Sequence, residues 1–168
     1  MLLTEEDQNF LKVKIKFLII ILTLLFTSKS YCEKIVLEKL VELDSPWGSS
    51  FINNNEIIVT EKSGKIKIVD ILTNQIQEVD HQLDFVVHGQ GGLLDIIHKD
   101  NIVWISYTED RGNYKTSTSI ARAKLNKKKL VFKNIFQANP PIDSGYHFGS
   151  RLAIKDNYIY ASAGERGQ

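Results

Sequence analysis

Beyond residue 33 the apolar positions of this chain recur with the period of strands rather than of helices. Lys65–Ile71 (KIKIVDI) alternates charged and apolar residues until its end, which predicts a strand with one buried face. Glu56–Glu61 (EIIVTE) precedes it, and the intervening Lys62-Ser63-Gly64 supplies the turn of a hairpin. Asn101–Thr108 (NIVWISYT) and Thr118–Leu125 (TSIARAKL) predict a second pair across the polar loop EDRGNYKTS. Lys128–Phe136 (KKLVFKNIF) and Asn157–Gly164 (NYIYASAG) predict further strands. No segment in this part combines a helical period with caps.

Three of these segments resemble one another. NNEIIVTE, DNIVWISYTE and DNYIYASAGE each place a polar turn before a strand whose apolar residues alternate with small ones. The spacing, roughly 45 and then 56 residues, is that of a β-propeller built from one multi-stranded unit per repeat. A β-sandwich with similar hairpins also fits the strands, and the repeat favours the propeller.

The N-terminal segment differs. Lys12, Lys14 and Lys16 precede the apolar run Phe17–Phe26, and TSKSYCEK follows. A basic region, a short apolar run and small residues near a cleavage point predict an export signal over residues 1–32. Cleavage after Ser30 or after Cys32 fits. The run is short for a membrane span, which needs about 20 apolar residues. An uncleaved anchor, a buried core helix and, least, a lipoprotein at Cys32 are the competing readings. The acidic TEEDQ ahead of the lysines suggests that the true start lies downstream of Met1.

Charge narrows the partners. With 21 basic and 20 acidic residues, net +1, the chain lacks the basic excess of proteins built to bind nucleic acid or anionic lipid. Contact with a membrane is expected only through the export signal. The single cysteine, Cys32, excludes an internal disulfide and a cysteine metal cluster.

Two segments are candidates for chemistry. His88–Ile96 (HGQGGLLDI) sets three glycines around Gln90, which permits a close approach to a ligand or merely a tight turn into a strand. No helix follows, so it is not a nucleotide-binding glycine loop. Ser144–Ile154 (SGYHFGSRLAI) places His147 between a loop and a strand, where it can serve as a base near neutral pH or simply tie down the loop. Arg151 fits either an anionic ligand or a loop carboxylate. His81, His88 and His98 have no metal-ligand spacing and read as structural or exposed.

In order along the chain stand SPWGSSF (Ser45–Phe51), IIVTEKSGKIKIV (Ile57–Val69), GQGGLLDI (Gly89–Ile96), VWISYTE (Val103–Glu109) and HFGSRLAI with YIYASAGERG (His147–Gly167). Together they resemble the soluble aldose sugar dehydrogenases of the glucose/sorbosone dehydrogenase family, which use pyrroloquinoline quinone (PQQ). The resemblance implies a six-bladed β-propeller, of which residues 33–168 would cover about two to three blades. It implies oxidation of aldose sugars at C1 to lactones, with hydride passing to PQQ and electrons to an external acceptor. By the same resemblance His147 is the general base and Gln90 contacts PQQ. The protein would be periplasmic or secreted.

Two departures qualify the expectation. The glucose-dehydrogenase branch carries an acidic residue immediately before the histidine, and here that position is Tyr146. No carboxylate partner for the imidazole is visible there, which favours the broader aldose branch, a lower activity or another substrate. The family's arginine–asparagine block and its Ca²⁺ ligands are expected beyond residue 168. The chain therefore reads as a fragment that binds PQQ poorly and is inactive alone. No metal ligands are assigned within it. A non-catalytic binding propeller and a calcium-dependent lactone hydrolase are the alternatives.

Overall fold

The computed structural model describes residues 5–25 and 34–167. Two compact units divide the chain, Met1–Glu38 and Lys39–Gln168. The first contains one helix, α1 (Glu5–Leu25). Its described apolar residues from Phe17 to Ile21 are exposed. No described helix is long and apolar enough to cross a membrane. Cys32 and both cleavage points lie outside the described residues.

The second unit is all-β. Its first sheet is an antiparallel meander of β1 (Pro46–Phe51), β2 (Glu56–Glu61), β3 (Ile66–Asp70) and β4 (Ile76–His81). The second is built alike from β5 (Leu93–Lys99), β6 (Ile102–Asp110), β7 (Thr116–Lys124) and, after the two-residue β8 (Lys129–Leu130), β9 (Lys133–Gln137). A hairpin of β10 (Gly149–Lys155) and β11 (Tyr158–Ala163) follows. The first strands stand side by side, β5 lying against both β1 and β10.

Lys128–Phe136, expected as one strand, is divided between two sheets. β8 pairs in parallel with β4 of the first sheet, whereas β9 pairs with β7 of the second. The crossing is fixed by burial: Leu130 and Phe132 enter the core between the sheets while Val131 stays exposed. Gln82 holds the crossing point, donating to the Phe132 carbonyl (2.6 Å) and accepting from its N–H (3.1 Å).

The core explains the period-two pattern. Ile58, Ile66 and Ile68 of the first meander meet Ile96, Val103 and Ile105 of the second, all buried. The three similar sequence segments occupy β2, β6 and β11, the second strand of each unit. The likeness extends to side chains. Each first strand carries one extra residue, between Pro46 and Gly48, Leu93 and Ile96, and Gly149 and Leu152. Opposite each bulge stands a hydroxyl: Thr60, Ser106 or Ser162. Each accepts the freed bulge N–H, from Gly48 (3.0 Å), Asp95 (2.9 Å) and Arg151 (3.0 Å) respectively. Thr60 then donates to the carbonyl of Leu94, and Ser106 to that of Ser150 (2.7 Å). One hydroxyl thus completes its own hairpin and stitches it to the next unit.

Candidate functional site

The loops at one end of the sheets carry Gln90 and His147, and the fold brings these residues together. The His147 N–H donates to Gln90 Oε1 at 2.9 Å, across 57 residues of chain. The Gln90 N–H in turn donates to the Gly145 carbonyl at 2.7 Å. Gly89 makes this possible: its φ is +56°, and a Cβ there would lie 2.3 Å from the Gly145 oxygen. The glycine run is a built cradle for the His147 loop as well as a turn into β5.

The β10–β11 register adds a third residue. Gly149 pairs with Ala163, so the residues two places beyond the pair on each side, His147 and Glu165, face one another. His147 Nδ1 hydrogen-bonds Glu165 Oε1. Gly164 allows the approach, because a Cβ there would stand 1.8 Å from the His147 oxygen. The carboxylate that Tyr146 does not provide therefore comes from the opposite strand end. The N–H of Gly167 and the His147 ring hold the Glu165 carboxyl below the usual carboxylate range.

A carboxylate on Nδ1 fixes the tautomer: Nδ1 carries the proton and donates it. The neutral ring then presents Nε2 as an acceptor, and Nε2 has no partner among the described residues. The His147 side chain is 52% exposed, so a ligand can reach it. The backbone of His147 has φ +49°, sparsely populated for a residue with a side chain and held by the surrounding bonds.

Arg151 meets a carboxylate, but one on strand β5 rather than on a loop. Its Nη1 lies 3.1 Å from Oδ1 of Asp95, whose other oxygen accepts the Leu152 N–H at 2.8 Å. It ties down a buried carboxylate. His81 is structural: Nδ1 accepts the Leu83 N–H, leaving Nε2–H to donate to the Gly64 carbonyl at 2.7 Å. His88 packs against Gly145, beneath the same loop that bears His147. Among the described residues no group of three or more His, Cys, Asp or Glu is arranged to hold a metal ion.

Sequence reasoning missed Glu165, although GERG stood within a quoted block. The available signal was the hairpin itself: two strands around the turn at Asp156-Asn157 return the chain to the level of His147.

Four-stranded meanders set side by side, with an imidazole–carboxylate pair on the loops at one end, define a protein of the β-propeller type. The chain belongs to the Glucose / Sorbosone dehydrogenase family, whose profile matches residues 43–168. It is 28% identical over 137 residues to the aldose sugar dehydrogenase YliI of Escherichia coli K12, covering 76% of this chain and 37% of that protein. A solved glucose dehydrogenase superposes with a TM-score of 0.75 at 25% identity, over 80% of this chain and 45% of that one. The PQQ-bound form of an aldose sugar dehydrogenase from Streptomyces coelicolor shares the fold with a TM-score of 0.70 at 24% identity, over 80% and 42% of the two chains. The chain thus spans less than half the length of these relatives.

Proposed function

We propose that this chain forms the base-bearing part of a PQQ-dependent dehydrogenase that oxidises aldose sugars at C1 to lactones. The observation that carries the reading is the hydrogen-bonded set Gln90–His147–Glu165. Glu165 holds the proton on Nδ1 and favours the imidazolium that forms when Nε2 takes a proton. With a sugar bound, Nε2 accepts the anomeric hydroxyl proton, so that C1 loses hydride more readily. PQQ, when bound, supplies the acceptor for that hydride.

The donor chemistry present here fits such a cofactor. Gln90 spends its Oε1 on the His147 N–H, which leaves its amide N–H₂ without a partner among the described residues and suited to a quinone or carboxylate oxygen. His147 and Gln90 would therefore meet sugar and cofactor from one rigid unit. The parent protein is read as a periplasmic or secreted enzyme that passes electrons to an external acceptor. The six-bladed count, with this chain contributing two meanders and the start of a third, belongs to the same reading, as does Ca²⁺ bound by residues outside this set.

The test is dye-linked oxidation of aldoses by the folded full-length parent protein supplied with PQQ and Ca²⁺, with PQQ binding followed separately. Dye reduction that appears with an aldose supports the proposal, and none from folded, PQQ-loaded protein overturns it. His147→Ala should lower turnover by about two to four orders of magnitude, the usual worth of a general base, while PQQ binding changes little. Retained turnover removes His147 from the role.

A further inference from the structure

Arg166 follows Glu165 directly and is 91% buried, yet no carboxylate pairs with it among the described residues. Four of its five N–H donors are spent on uncharged oxygens. Nε donates to the Tyr146 carbonyl (2.9 Å), Nη1 to the Thr116 carbonyl (3.1 Å), and Nη2 to Thr116 Oγ1 (2.8 Å) and the Ser144 carbonyl. The guanidinium also stacks over the Phe148 ring, 3.8 Å from its centroid. A buried cation without a counter-ion is costly, and burial depresses its pKa accordingly. A site that tolerates that cost gains fixed geometry.

What the geometry fixes is the catalytic loop. The backbone around His147 is held from two sides. Gln90 takes the Gly145 carbonyl and the His147 N–H, whereas Arg166 takes the carbonyls of Ser144 and Tyr146. Ser144 answers by donating its hydroxyl to the Arg166 carbonyl, which closes a ring of bonds between the two loops. Both His147 (φ +49°) and Arg166 (φ +66°) sit in the left-handed region, where such multiple bonding is needed to hold them. A lysine cannot replace this fork, because a single ammonium neither spans three segments in a plane nor stacks on Phe148 in the same way.

We propose that Arg166 is the positioning residue of this site: a desolvated guanidinium clamp that locks the His147 loop onto the Glu165 loop and so sets the imidazole–carboxylate contact. The inference rests on the role assigned above to His147 and Glu165, but its test needs no cofactor and no turnover. Failure of sugar oxidation therefore leaves it standing, and its own failure leaves the oxidation reading intact.

The experiment is a pH titration of the Glu165 side-chain carboxyl by carbon-13 NMR in the full chain, with the signal assigned by its loss in Glu165→Gln. Amide exchange of Val59 and Ile105 monitors the core. In the unaltered protein the Glu165 carboxyl should titrate below the usual range. In Arg166→Lys it should rise toward that range, with core exchange changed by less than about threefold. Thr116→Val removes one acceptor of the clamp, together with the bond from the Thr116 hydroxyl to the Ser144 carbonyl (3.1 Å), with little change of volume, and should give a smaller shift in the same direction; Thr116→Ser, which keeps both bonds, should leave the titration unchanged. If Arg166→Lys does not fold, Thr116→Val alone decides. A Glu165 titration unchanged in the folded variants overturns the proposal. So does a loss of core protection in Thr116→Val as large as the change at Glu165, since that would make Arg166 a general staple of the fold.

Discussion

The two joins between neighbouring units use the same hydroxyl stitch but different fillings. Between the first and second meanders the space is apolar, with Ile58, Ile66, Ile96 and Ile105 at 0–1% exposure. Between the second meander and the β10–β11 hairpin the central feature is the Asp95 carboxylate, which receives the Leu152 N–H and the Arg151 guanidinium. Tyr158 and Tyr160 of the hairpin remain exposed. Apolar filling is strong but indifferent to small sliding movements. A carboxylate that receives one particular N–H is weaker but dictates register. The second join needs register, because it sets β10 against β5, and the loops that enter these two strands carry His147 and Gln90.

That contrast can be tested by breaking each filling in turn. Ile105→Ala should have the largest effect, a loss of about 2–5 kcal/mol in urea denaturation from lost burial and the cavity left behind. It should lower protection across both meanders together. Asp95→Ala should cost less, about 1–3 kcal/mol, mostly from the unsatisfied Leu152 N–H. The Arg151 contact adds little, since that side chain is 70% exposed. Its signature should be local: faster exchange at Leu152 with Val59 and Ile58 unaffected. Equal loosening of the first meander would show that the joins are one cooperative unit.

The smallest effect sharpens the comparison of the stitches themselves. Ser106 is fully buried and bonded to both neighbours, so Ser106→Ala should cost about 1–3 kcal/mol. Ser162 is exposed and, among the described residues, makes only the bond from the Arg151 N–H, so Ser162→Ala should lie within about 0.5 kcal/mol of the unaltered chain. Denaturation midpoints of the pair would report whether the second bond, to the following unit, carries the difference.

The strands with clear alternation were legible in the sequence. EIIVTE folds as β2 with the expected ends, and KIKIVDI as β3 with Ile66 and Ile68 inward. β4 was not legible, because IQEVDH buries only Val79 fully and its polar residues give no face. The division of Lys128–Phe136 was hidden for a different reason: alternation says which side chains go inward, not into which sheet. At the site, Gln90 and His147 were found through motifs. Glu165 depends on hairpin register, and Arg166 on which carbonyls a loop leaves free, neither of which has a composition.

The hydroxyl stitch also has a direction in time. Thr60 closes its bond with a carbonyl 34 residues later, and Ser106 with one 44 residues later. A chain emerging from the ribosome can complete each stitch only after the first strand of the following unit has been synthesised. Growth from the N-terminus therefore seals the meanders one behind another, each newcomer securing its predecessor. The hairpin whose ends carry His147 and Glu165 would be the last of these described parts to be set, on a foundation already closed.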